Sequence, residues 1–188
     1  MNYIKIKTHD ISNGPGVRVS LFVSGCHRHC EGCFNPETWD FKAGEEFTKD
    51  TENYIFKAVE PEWIRGLSIL GGEPFEELNA VHIIPFIKRF KEKFPEKTIW
   101  AYTGFTYEQL LMNPIRTELL NHIDILVDGP FEEEFKIVDL RFRGSTNQRV
   151  IDVKKSIEED CIYTIELVEP PAEPIGWERY LNEEKEKE

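Results

Sequence analysis

The sequence predicts an α/β fold built on a parallel β-sheet. Apolar runs with strand-like alternation are separated by segments of helical periodicity, and this order recurs along most of the 188 residues. The length suits one domain with a sizeable core, because a domain usually holds about 100–200 residues. About five or six strands are predicted, too few for a complete eight-stranded barrel.

The strand predictions rest on short apolar runs that end at glycine or at a polar turn. The best-defined run covers residues 17–24 (VRVSLFVS), which alternate in the strand manner and are rich in β-branched residues. The other predicted strands are residues 67–70, 97–102 and 123–127, with weaker candidates at 150–153 and 162–167.

Helices are predicted between these strands. Residues 48–59 carry polar capping candidates at their start, and residues 76–94 place apolar side chains close to a 3.6-residue period. Pro85 should kink or divide that second helix, because proline lacks the amide hydrogen that a helix interior needs. Two short helical segments are predicted around Pro114, at residues 107–112 and 115–120.

Unusual residues follow the ends of four predicted strands. They are the cysteines after residue 24, the Gly71-Gly72-Glu73-Pro74 turn, the Thr103-Gly104 pair and the Asp128-Gly129 pair. The carboxyl ends of parallel strands share one rim, where α/β folds bind their ligands. We therefore expect these four segments to form one site.

Charge and composition exclude several classes of function. The net charge is −12, which disfavours non-specific binding to nucleic acid or to an anionic membrane surface. No run of about 18 apolar residues is present, and the N-terminal sequence has no apolar core of a secretory signal. A cytoplasmic protein is expected.

The acidic residues concentrate near the C-terminus. Residues 157–188 hold 11 acidic and 3 basic residues and a proline-containing stretch. The predicted domain therefore covers residues 1–156, and residues 157–188 are expected to form an acidic extension with a frayed end.

Three of the four cysteines lie within eight residues, in the pattern Cys26-x3-Cys30-x2-Cys33. Zinc with His27 or His29 as a fourth ligand, a disulfide, and an iron–sulfur cluster with one open iron are all compatible with this spacing. Cys161 stands alone in a strand-like run and is predicted to be a small core side chain.

The cysteine pattern followed by Gly-Gly-Glu-Pro resembles the radical S-adenosylmethionine enzymes. Further segments are similar to the activating enzymes of anaerobic ribonucleoside-triphosphate reductases. These segments are Asn13-Gly14-Pro15-Gly16-Val17-Arg18, the LFVSGC run, Asn35, Thr38 and Trp39, the WAYTGF run at 100–105, Val127-Asp128-Gly129, and Arg143-Gly144-Ser145 with Asn147-Gln148-Arg149. The resemblance covers about residues 1–153.

The resemblance implies a fold, two cofactors and their contacts. The fold would be an incomplete TIM-like α/β barrel, and Cys26, Cys30 and Cys33 would bind a [4Fe–4S] cluster. No protein side chain would act as acid, base or nucleophile. The expected S-adenosylmethionine contacts are Gly32, Cys33, Phe34, Gly71, Gly72, Glu73, Tyr102 and Thr103.

The resemblance also implies an activity. Reductive cleavage of S-adenosylmethionine would produce a 5′-deoxyadenosyl radical, which takes a hydrogen from a glycine Cα of the reductase. The expected partners are the large reductase subunit and a flavodoxin-like or other low-potential electron donor. The alternatives are an activase of another glycyl-radical enzyme such as pyruvate formate-lyase, a small-molecule enzyme of deazapurine synthesis, and a zinc-binding interaction module.

The remaining polar and aromatic candidates have more than one interpretation. Trp39, Trp63 and Trp100 are predicted to be packing residues. Asp128 either faces the ligand or caps the turn that follows it. The segment from Arg143 to Arg149 is a solvated hairpin, a docking element for the reductase, or a clamp for the ligand carboxylate.

Overall fold

A computed structural model describes residues 1–137 and 140–167 of the chain. The predicted α/β class is confirmed. The strands are β1 (Asn2–Asp10), β2 (Val17–Val23), β3 (Glu45–Glu46), β4 (Ile64–Gly71), β5 (Thr98–Tyr102), β6 (Ile125–Asp128) and β7 (Arg149–Asp152). The helices are α1 (Lys49–Val59), α2 (Glu77–Lys93), α3 (Tyr107–Leu111), α4 (Pro114–Leu120) and α5 (Val153–Glu158).

The sheet is mixed rather than purely parallel. Its seven strands lie in the order β3-β1-β2-β4-β5-β6-β7, and β2, β4, β5 and β6 are parallel. The flanking strands β1, β3 and β7 are antiparallel to their neighbours. The connection from β1 to β2 is only six residues long, and a parallel pair needs a crossover of about a dozen or more residues.

Several element predictions were incomplete. The predicted sheet begins at residue 17 and omits β1, although lysines alternate with isoleucines from Ile4 to Lys7. Residues 162–167 form only an isolated bridge, between Thr164 and Ile151, instead of a strand. Helix α2 continues past Pro85 and is not divided. Helix α5 spans the predicted boundary at residue 156, and that boundary stays a prediction.

The five helices named above each follow a polar residue, and their apolar side chains cover one face of the sheet. Thr48 caps α1 by accepting a hydrogen bond from the Thr51 amide. The main core lies between this face and the helices, with fully buried side chains such as Leu21, Ile69 and Phe86. This arrangement leaves the opposite face, here called the inner face, free to line a cavity.

The inner face carries a fully buried arginine near the start of β2. The Arg18 guanidinium donates to Ser68 Oγ at 2.8 Å and to the backbone carbonyls of Leu67 and Thr98 at 2.9 and 2.7 Å. Burial lowers its pKa to about 10, so it remains charged at neutral pH. A Cβ at Gly14 would lie 2.8 Å from Arg18 Cδ, so the Asn13–Gly16 turn needs glycine to pack on this side chain.

Arg18→Ala should lower the free energy of unfolding by about 3 kcal/mol, because it removes charge-assisted hydrogen bonds from buried acceptors. Chemical denaturation of the metal-free protein measures this. Arg65→Ala is the control, since Arg65 is exposed on the adjacent strand β4. Equal small losses in both variants would show that the buried guanidinium does not stabilise the sheet.

Candidate active site

The predicted site segments meet at the rim formed by the carboxyl ends of the parallel strands. A cavity of about 400 Å³ opens there. Its volume lies within the usual range of small-molecule pockets. Among its lining residues are Cys26, Cys30, Cys33, Phe34, Gly71, Gly72, Glu73, Tyr102 and Thr103.

The cysteine loop is held by backbone hydrogen bonds instead of regular secondary structure. The amides of Gly25 and Cys26 donate to the carbonyls of Thr38 and Trp39 at 2.7 and 3.0 Å. Gly25 has φ +101°, and a Cβ there would overlap the Phe41 ring. Glycine therefore allows β2 to turn sharply into the loop.

All four cysteines are free thiols. Cys26 is buried, and burial raises the pKa of its thiol. Cys30 and Cys33 are half-buried on the same cavity wall, and the Asn35 amide donates to Cys33 Sγ at 3.4 Å. These contacts leave the three sulfur atoms able to bind a metal centre.

The arrangement of the thiols fits an iron–sulfur cluster better than a single zinc ion. Within residues 1–137 and 140–167, no three His, Cys, Asp or Glu side chains converge closely enough to hold one metal ion. His29 stacks on Trp39, and His27 pairs with Glu76 at 3.1 Å. A cluster bound through three different irons does not require the thiolates to meet at one point, as a tetrahedral zinc ion does.

The two glycines of the Gly-Gly-Glu turn lie against the neighbouring backbone. A Cβ at Gly71 would lie 2.6 Å from the Val23 carbonyl oxygen, and one at Gly72 would lie 2.6 Å from that of Gly25. The sequence pattern suggested that these glycines make room for a bound ligand. The close approach of β2 to Gly71 and of the cysteine loop to Gly72 already requires them.

Glu73 is fully buried and binds the protein itself. Its carboxylate accepts hydrogen bonds from the Phe75 amide at 3.0 Å and from the Thr103 hydroxyl and Gly104 amide at 2.8 Å each. Burial raises its pKa to about 7, against the effect of these donors. A carboxylate has about four acceptor positions, so one remains for a further hydrogen-bond donor.

A buried asparagine, which was not among the predicted site residues, ties the two loops together. The Asn79 side-chain amide donates to the carbonyls of Ser24, Gly25 and Glu73 at 3.0, 3.3 and 3.0 Å. Asn79 lies near the start of α2. In the sequence, a polar asparagine within an apolar helical pattern was the feature that could have identified it.

Tyr102 and Thr103 end β5 at the cavity in different ways. The buried Tyr102 hydroxyl has no hydrogen-bond partner among the described residues, and burial raises its pKa. The Thr103 hydroxyl is engaged with Glu73. Tyr102 therefore offers the cavity an unused donor, which a polar ligand could satisfy.

The two remaining predicted contacts lie at the edge of the site. Phe34 is exposed, and its ring lies 4.9 Å from that of Phe131. Gly32 is exposed outside the cavity lining, where a Cβ would overlap the Glu133 carboxylate. Any contact of Gly32 with a ligand stays a prediction.

Cationic residues that were not predicted from the sequence also line the cavity. Arg28 lies between two of the cysteines, donates to the Gly104 carbonyl and has a buried Nε atom without a partner among the described residues. Lys5 and Lys7 reach the cavity from the inner face of β1. In the sequence, the alternation of isoleucine and lysine along β1 was the feature that could have placed these two lysines on one face of the sheet.

The Arg143–Arg149 segment is organised mainly by internal contacts. The Gln148 side chain accepts from the amides of Gly144 and Ser145 and donates to the Gly129 carbonyl. Arg143 lines the cavity and donates to the Gln148 carbonyl at 3.0 Å.

Arg149 points instead to a carboxylate pair. Its Nε donates to Asp128 at 3.0 Å and its guanidinium pairs with Glu108 at 2.9 Å, which lowers the pKa of Glu108 to about 2. Asp128 is buried and also accepts from the Tyr107 amide. Asp128 thus supports the fold and does not line the cavity.

These residues fit a [4Fe–4S] cluster and a polar ligand beside it. Three free thiols, the open acceptor position of Glu73 and the unpartnered Tyr102 hydroxyl surround one cavity. Thiolates are the ligands that iron–sulfur clusters prefer.

Comparison with known proteins supports this interpretation. Residues 12–151 match a family model described as a 4Fe-4S single cluster domain. Anaerobic ribonucleoside-triphosphate reductase-activating proteins of Pasteurella multocida and of Enterobacteria phage T4 are each 39% identical over 150 residues, covering 79–80% of this chain and 95% and 93% of theirs. That of Escherichia coli K12 is 39% identical over 152 residues, covering 80% of this chain and 97% of its own.

This chain belongs to the anaerobic ribonucleoside-triphosphate reductase-activating protein family. The matched part leaves about a fifth of the chain outside the similarity to these family members. Among the residues that the structure describes, no helix is long and apolar enough to cross a membrane.

Two packing predictions for this family member were wrong. Cys161 is exposed instead of buried, because residues 162–167 do not form a strand that would cover it. Trp63 is 53% exposed and stacks on His9 at 5.2 Å, whereas Trp100 is buried as expected.

Arg149→Gln should destabilise the protein by roughly 3–5 kcal/mol, because it leaves the buried Asp128 carboxylate unpaired. Thermal and denaturant unfolding of the metal-free protein measure the effect. Glu108→Gln is the matched control and should cost at most about 1 kcal/mol, because Glu108 is half-exposed. If Arg149→Gln unfolds like the wild type, the ion pair with Asp128 has no structural role.

Proposed function

We propose that this chain activates an anaerobic ribonucleoside-triphosphate reductase as a radical S-adenosylmethionine enzyme. The observation that carries the proposal is the meeting of the three cysteines with the Gly-Gly-Glu turn and Tyr102 around one cavity. The names of the relatives supply the target protein. The substrate would be a glycine Cα of the large reductase subunit.

Bound in this cavity, a reduced [4Fe–4S] cluster would supply the electron for reductive cleavage of S-adenosylmethionine, and the cofactor would supply the radical chemistry that removes the glycine hydrogen. Cys26, Cys30 and Cys33 hold the cluster in this proposal. Because these three residues are the only cysteines among the described residues that line the cavity, they would leave one iron of the cluster available to the ligand.

The rest of the cavity wall binds and orients the ligand. The free acceptor position of Glu73 receives the ligand ammonium group, and charge-assisted hydrogen bonds of this kind are about twice as strong as neutral ones. The Tyr102 hydroxyl donates to a polar group of the same ligand. Phe34 and Phe131 form an apolar edge that limits access of water.

A glycine residue is a suitable target for this reaction. A glycine has no side chain, so its backbone can approach a reactive centre closely.

We further propose that the sheet is the incomplete barrel of this enzyme class, that the protein is cytoplasmic, and that a flavodoxin-like or other low-potential protein delivers the electron.

Cys26→Ala, Cys30→Ala and Cys33→Ala should each abolish cleavage of S-adenosylmethionine, because each removes a cluster ligand. Cys161→Ala is the control and should retain cleavage within a few-fold, since Cys161 lies outside the cavity. Iron and sulfide analysis of anaerobically purified protein should show the same three-to-one division. Zinc without labile sulfide in the wild type would favour the interaction-module alternative.

The wild-type protein should generate a persistent glycyl radical on the large reductase subunit. The assay contains S-adenosylmethionine, a reductant and both proteins without oxygen, and electron paramagnetic resonance detects the radical on the partner chain. Without the reductase, deoxyadenosine should form and no stored radical should appear.

A different result would identify the alternative target. If pyruvate formate-lyase acquires the radical readily and the reductase does not, the chain is an activase of another glycyl-radical enzyme. Absence of deoxyadenosine in every mixture, despite an assembled cluster, would contradict the radical mechanism itself.

A further inference from the structure

A second cavity, of about 340 Å³, adjoins the first and shares Arg28 with it. We call it the arginine cleft. Its volume lies within the usual range of small-molecule pockets. Its other lining residues follow β5 in the chain and are Phe105, Gln109, Met112, Asn113 and Arg116. The proposed function assigns no role to this cleft.

Two arginine side chains meet on one aromatic ring in the cleft. The guanidinium carbons of Arg28 and Arg116 lie 4.8 and 3.9 Å from the centre of the Phe105 ring. The face of an aromatic ring attracts a cation, but it provides no oxygen acceptor for the guanidinium N–H groups. The two cations also repel each other, because like charges in a partly buried site are only weakly screened.

Each of the two arginines is anchored by one backbone carbonyl. Arg28 donates to the Gly104 carbonyl, and Arg116 Nε donates to the Phe75 carbonyl at 3.0 Å. A guanidinium group has several further N–H donors, and the structure shows no acceptor for them among the described residues. One of these donors, Arg28 Nε, is buried. The pair therefore keeps most of its hydrogen-bonding capacity for a ligand.

No carboxylate neutralises this pair within the part of the chain that the structure describes. Neither Arg28 nor Arg116 forms an ion pair there. Arg28 attracts the buried Glu73 carboxylate only at longer range, and Glu77, which accepts from Asn113 at 2.9 Å, is not among the lining residues. A chain with a net charge of −12 thus leaves two neighbouring arginines without a counterion.

We propose that the arginine cleft binds a phosphate group, with Arg28 and Arg116 as its main contacts. A phosphate monoester carries a charge of about −1.5 to −2 at neutral pH, which balances two guanidinium groups, whereas a carboxylate would leave one of them uncompensated. The planar fork of arginine also matches phosphate oxygens with paired hydrogen bonds. Inorganic phosphate and the phosphate chain of a nucleotide share this chemistry.

The bound phosphate joins two parts of the fold. Arg28 lies in the cysteine loop between Cys26 and Cys30, and Arg116 lies in α4. In the described residues no hydrogen bond links these two side chains. The ligand therefore adds a bridge between the cysteine loop and α4.

Calorimetric titration of the full-length protein, purified without oxygen, tests the site with inorganic phosphate, inorganic tripolyphosphate and ATP. Arg116→Gln should weaken the binding of tripolyphosphate and ATP by at least about tenfold, since it removes a charge and a forked pair of donors. Arg65→Gln is the matched control and should leave the affinity unchanged, because Arg65 is exposed on β4. Tighter binding of ATP than of tripolyphosphate would identify a nucleotide as the source, and equal binding would identify the phosphate chain alone; both results support the site.

Two results of the titration would overturn the proposal. The first is that the wild type binds none of the three probes at millimolar concentration. The second is binding that Arg116→Gln retains and Lys5→Gln/Lys7→Gln loses, because those lysines line only the larger cavity and the anion would then lie there. Neither measurement involves the reductase, so failure of the proposed function leaves this test intact.

Chemical modification of the wild type provides a second test without a variant, since Arg116→Gln also removes the contact with the Phe75 carbonyl. Phenylglyoxal reacts with free guanidinium groups, and mass spectrometry measures the rate at each arginine. Tripolyphosphate should slow the modification of Arg116 several-fold and leave that of Arg65 unchanged. Equal rates at Arg116 with and without tripolyphosphate would contradict the site.

Discussion

The site depends on the in-register parallel pairing of β2 and β4. Val23 lies opposite Gly71, so both strands end at the same level and their following loops start side by side. The backbones approach so closely that Gly72 can carry no side chain against the Gly25 carbonyl. The Asn79 amide then joins both loops to the start of α2. This junction places the cysteine loop and the Gly-Gly-Glu turn on one cavity.

The two faces of the sheet differ in the kind of side chain that they bury. The helix-covered face buries the main apolar core, whereas the inner face holds polar side chains whose hydrogen bonds are made inside the protein. Two exceptions belong to residues that line the cavity: Arg28 Nε and Tyr102 Oη are buried without partners among the described residues. Buried polar atoms are rarely left unpaired, so these atoms indicate where a ligand or water completes the structure.

The charged residues that line the cavity are mostly cationic, whereas the whole chain is acidic. Although the chain is acidic, four cations line one cavity: Lys5, Lys7, Arg28 and Arg143. Among the described lining residues, Glu73 alone carries a carboxylate, and that carboxylate accepts hydrogen bonds from backbone amides. A cavity of this sign suits anionic groups, and a [4Fe–4S] cluster with three thiolate ligands is anionic. Local charge, rather than net charge, therefore governs what approaches the site.

The local sequence determined the α/β class, most element positions and the identity of the site segments. Strand and helix periodicities are short-range properties, and the Cys26-x3-Cys30-x2-Cys33 spacing confines three thiols to one loop whatever surrounds it. Because parallel strands end on a common rim, the convergence of these segments also followed from the order of elements.

Only the tertiary structure determined which side chains at the rim face the cavity and which are paired within the protein. Strand β1 joins antiparallel through a six-residue connection and thereby brings Lys5 and Lys7 to the cavity. Asp128 was indistinguishable from Glu73 in sequence, as both follow a strand end. Long-range contacts separate them, because Arg149 pairs with Asp128 while Glu73 lines the cavity and accepts from Thr103 and Gly104. Such pairings join residues distant in the chain, which local patterns cannot encode.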